Sequence, residues 1–390
     1  MFPAFFEFHS PTKVVYGPGL VQDLSAELSE VGVRRFLLVS DRGLENVGLP
    51  AQVAAGLEAA GVEVAGVFLD VPENSELGAV RACAQAAAAC GAEGFVALGG
   101  GSVIDTAKCA NILLSEGGDL VEDHSGSGTL SRPLRPLVAI PTTAGTGSEV
   151  TQAAVILDAE NNAKLSFSDK FLLPTLAVLD PELTLSLPPA MTASTAMDAL
   201  THAIESYLSP QWSPWSESLA MGASRMIFAG VEKAVTDGAD LEARGALLVA
   251  SSMAGMAFSH AMVGCVHGMA HAVGGLFRVP HGCANAILLP YGLEYNEEVS
   301  RDRLASLGRG LGVTDAAEDA IAAAEMVKSV RDLTGQLHAL GVLPLRLRDV
   351  GVPEAGLADA AEATVMDGTS FYNPREVMAE EILVCLRAAY

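Results

Sequence analysis

Residues 94–108 read GFVALGGGSVIDTAK and join an apolar run to a helical pattern through three glycines. An apolar run without alternation is typical of a strand in a parallel sheet that is covered on both faces. Glycine lets the backbone approach a ligand, and the positive end of the following helix attracts an anion. The stretch predicts a strand–turn–helix unit whose turn binds phosphate, with Gly100 and Gly101 giving access and Ser102 adding a hydroxyl donor. Because the pattern is not GxGxxG, an ordinary tight turn is the alternative.

The alternation of apolar runs and helical patterns extends on both sides of this stretch. Further apolar runs cover residues 34–41, 62–70 and 136–143, with helical patterns between them. Strands separated by helices indicate a parallel sheet. Residues 153–169, AAVILDAENNAKLSFSD, predict a hairpin that turns at Asn161–Asn162.

Strand patterns stop near residue 185. The helical patterns that follow cover residues 191–208, 214–235, 240–260 and 265–274, with several more to the end. We therefore expect an α/β dinucleotide-binding domain with a parallel sheet over residues 1–185 and an all-α domain over residues 186–390.

The charge and cysteine content limit the partners. The 390 residues include 23 Lys and Arg against 47 Asp and Glu, a formal net charge of -24. This balance disfavours nucleic acid, whose binding needs basic side chains against phosphates. No apolar stretch predicts a membrane span or a signal peptide, so no membrane partner is expected. The six cysteines form no CxxC pair, which disfavours disulfides and structural zinc and favours a reducing cytoplasm.

A second polar loop, PTTAGTGSEV at residues 141–150, also follows an apolar run. It offers the hydroxyl groups of Thr142, Thr143, Thr146 and Ser148. The carboxyl ends of parallel strands meet at one edge of a sheet, where α/β proteins bind ligands. The two loops therefore predict a ligand crevice, and a pair of capping turns is the alternative.

Asp41 stands at the end of the apolar run 34–41. In a dinucleotide-binding fold an acidic side chain there accepts hydrogen bonds from the ribose hydroxyls and repels a 2′-phosphate. That interpretation favours NAD over NADP. A helix N-cap is an equally good interpretation of the same residue.

Carboxylate and imidazole groups recur at helical spacing in the second half. Asp198 and His202 lie at i and i+4, as do His267 and His271, and His281 follows Pro280. Alanine and glycine neighbours let such segments pack closely. One carboxylate with three or four imidazoles suits a divalent transition metal, with Fe(II) and zinc both acceptable. The alternative is an Asp–His pair bonded only to each other.

With these motifs in view, the chain resembles the iron-containing (group III) alcohol dehydrogenase family over its full length, and within it the lactaldehyde/1,2-propanediol oxidoreductase type. The motifs that carry the resemblance are GGGSVIDTAK, PTTAGTGSEVT, MDALTHAIESYLS, HGMAHAVGGLFRVPHGCANAILLPYGLEYN and YNPRE. The resemblance implies an N-terminal dinucleotide domain and a C-terminal helical domain, with the active site between them.

The resemblance also implies roles for individual residues. The metal ligands would be Asp198, His202, His267 and His281. His271 would lie beside the metal and take part in proton transfer. The cofactor contacts would be Asp41, Asn74, Gly101, Ser102, Asp105, Thr142, Thr143, Thr146 and Lys164, together with Gly100 of the same turn.

Three positions bear on how closely the pattern is followed. Phe258 is expected to line the substrate pocket, with a place in the apolar core as the alternative. Asn74 is followed by Ser75 where the family usually has proline, and Tyr372 stands where threonine often precedes Asn-Pro-Arg. The last departure bears on the size of the substrate.

The expected activity is reversible hydride transfer between a short primary alcohol or diol, or its aldehyde, and NAD(H), with Fe(II) or zinc. The enzyme is expected to be a homodimer or a higher homo-oligomer. The alternatives are a dehydroquinate-synthase-like NAD and zinc lyase, a hydroxyacid–oxoacid transhydrogenase that retains its cofactor, and a non-enzymatic scaffold.

Overall fold

The computed structural model describes residues 3–160 and 163–390 and contains two compact units. One unit spans His9–Leu187; the other spans Pro188–Tyr390 and includes the N-terminal residues through Phe8. The expected division was 1–185 and 186–390, so the N-terminal segment groups with the helical unit instead of the sheet. Phe8 stacks on His260 of that unit, with ring centroids 4.2 Å apart.

The α/β unit is built on a parallel sheet. Its strands are β1 (Lys13–Tyr16), β2 (Arg35–Val39), β3 (Glu63–Phe68), β4 (Gly94–Gly99), β5 (Gly126–Ser127), β6 (Leu137–Pro141), β7 (Ala153–Asp158), β8 (Ala163–Ser168) and β9 (Leu176–Leu179). Six of them form one sheet in the order β1-β9-β6-β4-β2-β3, and every pairing in it is parallel. The predicted parallel sheet is confirmed, whereas β1 and β9 were not predicted because each has only four residues.

Helices cover both faces of this sheet. They are α1 (Ser25–Val31), α2 (Arg42–Asn46), α3 (Leu49–Ala59), α4 (Leu77–Cys90), α5 (Gly101–Ser115) and α6 (Leu120–His124). Alternate residues of β2 serve two cores: Phe36 and Leu38 pack with Val53 of α3, while Leu37 and Val39 pack in the cluster that contains Val80 of α4. Successive strand side chains point to opposite faces, so a strand buried on both faces reads as a continuous apolar run.

A small second sheet lies in the same unit. β7 and β8 pair antiparallel in register from Ala153–Ser168 to Asp158–Ala163, and β5 adds to β8. The predicted hairpin strands are therefore confirmed. The turn residues Asn161 and Asn162 lie outside the described residues.

The second unit is helical, as predicted. Its helices are α7 (Pro189–Leu208), α8 (Pro214–Thr236), α9 (Leu241–Ala261), α10 (Cys265–Phe277), α11 (His281–Leu311), α12 (Asp319–Ala339), α13 (Leu357–Met366) and α14 (Ala379–Ala388). The start of α11 crosses α7 closely: a β-carbon at Gly282 would lie 2.4 Å from the Ser194 carbonyl oxygen. Only glycine permits this approach, which brings the first turn of α11 next to α7.

Taken singly, none of the helices in residues 3–160 and 163–390 combines the length and apolarity needed to cross a membrane; the sharply bent pair α9 and α10 does so only when counted together.

Candidate active site

Helix α7 presents three ionisable side chains on one face. Asp198, His202 and Glu205 follow each other at i, i+4 and i+7, and all three are buried. Residues at this spacing lie above one another along a helix. Buried charged groups need partners, and α10 and α11 supply them.

Asp198, His267 and His281 bring their ligand atoms together from α7, α10 and α11. These atoms all lie within 4.8 Å of one another. Asp198 Oδ1 is 3.4 Å from His281 Nε2 and 3.7 Å from His267 Nε2. Ligands about 2.1 Å from a tetrahedral ion are separated from each other by about 3.4 Å. The donor set and its spacing therefore fit a divalent transition metal.

His202 lies beside this group but is not part of it. Its ring stacks on His267 at 4.4 Å and on Phe258 at 4.3 Å. Its Nδ1 is 3.9 Å from Asp198 Oδ2. The structure thus brings together three of the four ligands expected from the sequence, with the fourth imidazole in van der Waals contact.

Electrostatics keep Asp198 ionised. Burial by itself would raise the pKa of this carboxyl group, but the imidazoles of His202, His281 and His267 outweigh burial and hold the pKa well below its usual range. Burial by itself would lower the pKa of His267, but its hydrogen bonds to Asp198 and Glu205 outweigh burial and raise the pKa to about 9. The carboxylate form of Asp198 is the form that binds a cation.

Asn285, one turn after His281 on α11, is a site residue that sequence reasoning missed. Its Nδ2 donates to Asp198 Oδ1 at 2.7 Å and lies 3.2 Å from His281 Nε2 and 3.3 Å from His267 Nε2. Its Oδ1 is buried without a hydrogen-bond partner among the described residues. The i+4 spacing from His281 was the available signal.

Glu205 was also missed. Its carboxylate accepts hydrogen bonds from His267 Nδ1 at 2.6 Å and from the backbone N–H of Val266 at 2.7 Å. It is therefore bonded to the ring of one candidate ligand and to the first turn of α10. Its i+7 position from Asp198 was the only sequence signal.

His271 faces a further carboxylate that the sequence did not reveal. His271 Nδ1 lies 2.9 Å from Asp367 Oδ2, and the His271 ring stacks on His281 with centroids 5.3 Å apart. Burial raises the pKa of Asp367, but the hydrogen bond from His271 and further donors outweigh burial and lower it to about 2. His271 keeps a partly exposed side chain, so it links the buried cluster to solvent.

In the α/β unit, the two polar loops lie at the same edge of the sheet. β4 pairs with β6 so that Gly99 is opposite Pro141. The loops also pack against each other. A β-carbon at Gly101 would lie 2.7 Å from Thr146 Cγ2, and one at Gly100 would lie 3.2 Å from Thr143 Oγ1. The glycines are therefore needed for loop packing, whatever ligand they bind.

Asp105 supports the second loop from within. Its Oδ1 accepts from Ser148 Oγ at 2.6 Å and its Oδ2 from the Val155 N–H at 2.9 Å. Burial raises its pKa. Sequence reasoning expected a cofactor contact here, and the structure shows both oxygens bonded within the protein.

Lys108, in the same motif, was missed. Its buried Nζ donates to the carbonyl oxygens of Thr151 and Ala153, each at 2.8 Å. Burial lowers its pKa to about 8, partly offset by Asp105 and Glu149. The lysine therefore ties α5 to the chain that follows the second loop.

The remaining expected cofactor residues differ in their surroundings. Asp41 follows β2 and caps α2, accepting from the Leu44 N–H at 2.9 Å. Ser102 donates to the Glu73 carbonyl oxygen. Asn74 and Lys164 are exposed, whereas Thr142 is buried.

The α/β unit has polar loops at the carboxyl edge of a parallel sheet, and the helical unit brings a carboxylate and imidazoles close enough to bind one cation. These two features together are typical of oxidoreductases that use a metal and a dinucleotide cofactor. Residues 11–181 match the family model for iron-containing alcohol dehydrogenase. Residues 192–390 match the C-terminal model of the Fe-containing alcohol dehydrogenase family. The chain belongs to the iron-containing alcohol dehydrogenase family.

Relatives match along the whole chain. A 1,3-propanediol dehydrogenase from Klebsiella pneumoniae is 37% identical over 394 residues, covering 99% of each protein. An NAD-dependent methanol dehydrogenase from Bacillus methanolicus is 33% identical over 382 residues, covering 98% of this chain and 99% of that protein. The solved structure of an alcohol dehydrogenase from Oenococcus oeni has a TM-score of 0.94 at 34% identity, covering 99% of this chain and 100% of that one. The chain is therefore an NAD-dependent alcohol and aldehyde oxidoreductase.

Proposed function

We propose that this enzyme interconverts a short primary alcohol or diol and its aldehyde with NAD(H), at the cation site formed by Asp198, His267 and His281. The observation that carries the proposal is the convergence of these three ligand atoms within 4.8 Å. The sequence resemblance pointed to a 1,2-diol type, while the relatives are named for 1,3-propanediol and methanol. The proposal therefore covers the class of short alcohols.

Asp198, His267 and His281 would hold the metal, and His202, stacked on His267, would be the fourth ligand. Such an iron or zinc ion would supply polarisation of the substrate oxygen, and NAD(H) would supply the hydride acceptor or donor. Phe258 stacks on His202 and supplies an apolar surface beside the ligands. This surface favours a small alkyl group over a charged one.

His271 moves the proton that accompanies hydride transfer. Its Nδ1 donates to Asp367 at 2.9 Å, which leaves Nε2 to exchange a proton. The His271 side chain is partly exposed, which suits exchange of this proton with solvent. General acid–base assistance of this kind is worth about 10²–10⁴ in rate.

NAD binds at the carboxyl edge of the sheet in the α/β unit. The backbone at Gly100 and Gly101, with the helix dipole of α5, receives the pyrophosphate. Asp41 receives the ribose, which favours NAD over NADP. The other residues proposed to contact the cofactor are Asn74, Ser102, Thr142, Thr143, Thr146 and Lys164, while Asp105 supports the second loop through Ser148 and the Val155 N–H.

The test is anaerobic purification with metal analysis, followed by NADH oxidation against a panel of short aldehydes. We expect bound iron, or zinc, and metal-dependent NADH consumption. Exchange between a hydroxyacid and an oxoacid without added NAD would support the transhydrogenase alternative instead. Metal and cofactor binding without reduction of any aldehyde would support the scaffold.

The ligand set is tested by replacing histidines one at a time. We expect His267→Ala to lose bound metal and turnover while NAD binding is largely kept, since the cofactor residues belong to the other unit. His202→Ala should also lower metal content. The control is His338→Ala, because His338 Nδ1 lies 2.8 Å from the Leu343 carbonyl oxygen and His338 is not in the cluster of Asp198, His267 and His281. Unchanged metal content in His267→Ala contradicts the assignment.

We also propose a homodimer or higher homo-oligomer that works in the cytoplasm. Large apolar side chains left exposed on the single chain support self-association, among them Phe5 at 82% and Phe371 at 83% exposure. The unpaired cysteines support a reducing compartment. Sedimentation of the purified enzyme tests the first point, and a monomer at micromolar concentration contradicts it.

A further inference from the structure

We propose that Glu205 is a positioning residue that fixes His267 in the tautomer whose Nε2 faces the metal. This inference rests on the metal centre proposed above. Glu205 contributes no atom to the cluster of Asp198, His267 and His281; it contacts His267 on the side of the ring that carries Nδ1.

The first observation is the contact with the ring. Glu205 Oε2 lies 2.6 Å from His267 Nδ1, and the two side chains are only 4% and 3% exposed. A carboxylate only accepts hydrogen bonds, so Nδ1 must carry the hydrogen. Once His267 has lost its second proton, the lone pair needed for a metal is on Nε2, the atom that lies 3.7 Å from Asp198 Oδ1. Carboxylates behind ligating histidines commonly act in this way.

The second observation is the contact with the backbone that carries the ring. Glu205 Oε1 accepts from the Val266 N–H at 2.7 Å, and Oε2 lies 3.3 Å from the His267 N–H. These N–H groups belong to the first turn of α10, where Gly264 at the N-cap offers no side chain. A β-carbon at Gly264 would lie 3.1 Å from Glu205 Oε1. Glycine leaves room for the carboxylate, which thus holds the ring and the backbone of His267 together.

A glutamine cannot reproduce this arrangement. Both oxygens of Glu205 face donors, Val266 N–H on one side and His267 Nδ1–H on the other. An amide has one acceptor and one NH₂ donor. If its oxygen keeps the backbone bond, its NH₂ meets Nδ1, which favours the tautomer with hydrogen on Nε2. That tautomer has no lone pair on Nε2, the nitrogen that faces the candidate metal site.

The experiment compares Zn²⁺ affinity, measured by competition with a chromophoric chelator, in the wild-type chain and in Glu205→Gln. We expect affinity about 10–100-fold weaker in the variant. In the Zn²⁺-loaded wild type, a ¹H–¹⁵N spectrum should show a downfield, exchange-protected Nδ1–H on His267, and Glu205→Gln should lose it.

The matched control is Asp240→Asn. Asp240 caps α9 by accepting from the Ala243 N–H at 2.8 Å, pairs with Lys233, and is not in the cluster of Asp198, His267 and His281. We expect this variant to lower the melting temperature and leave Zn²⁺ affinity unchanged. The comparison separates loss of a helix cap from loss of the imidazole contact.

Zn²⁺ affinity within twofold of wild type in a folded Glu205→Gln variant overturns the inference and leaves Glu205 as a helix cap only. If that variant does not fold, the wild-type spectrum decides, because a His267 Nδ1 without a hydrogen-bonded proton in the Zn²⁺ form also overturns it. A wild-type chain that binds no Zn²⁺, Co²⁺ or Fe²⁺ contradicts the proposed metal centre. That outcome is distinguishable from failure of the Glu205 inference, in which the wild type still binds metal.

Discussion

At the scale of single residues, Asp367 determines how His271 is presented. One carboxylate oxygen accepts from His271 Nδ1, and the other accepts from the N–H and Oγ1 of Thr369 at 2.9 and 2.6 Å. The carboxylate is held from both sides, so the imidazole orientation is fixed as well. The ring stacks on His281, which places the proposed proton carrier against a metal ligand.

The variant Asp367→Asn tests this role. Its amide oxygen can still accept from Thr369, but its NH₂ then faces His271 Nδ1 and disfavours the present tautomer. We expect kcat to fall about 100-fold, with metal content unchanged, measured by steady-state NADH oxidation and metal analysis.

The control for this prediction is Asp349→Asn, which changes a carboxylate that pairs with Arg346 at the surface. It should leave kcat unaltered. If Asp367→Asn retains full kcat, the proton leaves by another route and His271 is not the carrier.

At the scale of elements, the turn from β4 to α5 and the loop after β6 form one packed unit. The β-carbon distances at Gly100 and Gly101 show that each glycine lies against a threonine of the other loop. The sheet edge brings both loops to one place. Loop packing and ligand access therefore depend on the same two glycines.

We expect Gly101→Ala to weaken NADH binding by about tenfold or more, since the added methyl group would lie 2.7 Å from Thr146 Cγ2. Fluorescence titration with NADH measures the effect. Combining it with Thr146→Ser, which removes that methyl group, should restore part of the affinity.

Gly78→Ala is the control for the glycine turn, because no heavy atom lies within 4 Å of its would-be β-carbon. This variant on α4 should bind NADH normally. Normal binding by Gly101→Ala as well would show that the loops move apart at little cost.

Lys108 joins α5 to the strand β7 that follows the second loop. We expect Lys108→Met to destabilise the α/β unit by about 3 kcal/mol, because buried carbonyl oxygens at Thr151 and Ala153 lose their donor. Urea unfolding followed by circular dichroism measures it. The exposed Lys13→Met, which breaks a surface pair with Glu30, should lower the free energy of unfolding far less, because solvent screens exposed ion pairs.

The loss of unfolding free energy caused by Lys108→Met should grow with pH. Burial lowers the pKa of Lys108 in the folded chain to about 8, below the ordinary lysine pKa of 10.5, so between these values the unfolded chain binds more protons than the folded one. Lys108 therefore adds stability as pH rises through this window, and the variant lacks that gain. An equal deficit at pH 7 and pH 9.5 would contradict the buried, partly neutral lysine.

At the scale of the whole molecule, the metal and NAD are proposed to bind different units, and only one unit contains tryptophan. Both tryptophans, Trp212 and Trp215, belong to the helical unit that holds the candidate metal ligands. Tryptophan fluorescence therefore reports unfolding of that unit alone. A chain of two units need not unfold in a single step.

We expect Zn²⁺ at 100 times its dissociation constant to stabilise the helical unit by about 2.7 kcal/mol, and EDTA to remove the gain. The tryptophan-detected midpoint should rise with metal in the wild type and stay fixed in His267→Ala. A metal-dependent shift of equal size in that variant would place the ion elsewhere.

Much of the site was predictable because the relevant spacing is local. Asp198 and His202, or His267 and His271, share a helix face at i and i+4 whatever the rest of the chain does. Asp367 and Glu205 could not be found in this way. Each acts on a histidine more than 60 positions away, and a single carboxylate in a sequence carries no sign of its distant partner.

The sequence alone determined the fold class and most of the longer elements, since continuous apolar runs with helical patterns between them indicate a parallel sheet, and histidines at i and i+4 indicate helices. The four-residue strands β1 and β9 were not found in this way. Only the tertiary structure decided that the ligand atoms of Asp198, His267 and His281 meet while His202 stacks beside them. It also decided that both oxygens of Asp105 are bonded to Ser148 and the Val155 N–H. The reason is physical. Periodicity is a property of residues close in sequence, whereas the meeting of three ligand side chains depends on how closely α7, α10 and α11 cross. The distance between α7 and α11 is set by contacts such as Gly282 against Ser194, which cannot be predicted from the pattern of neighbouring residues.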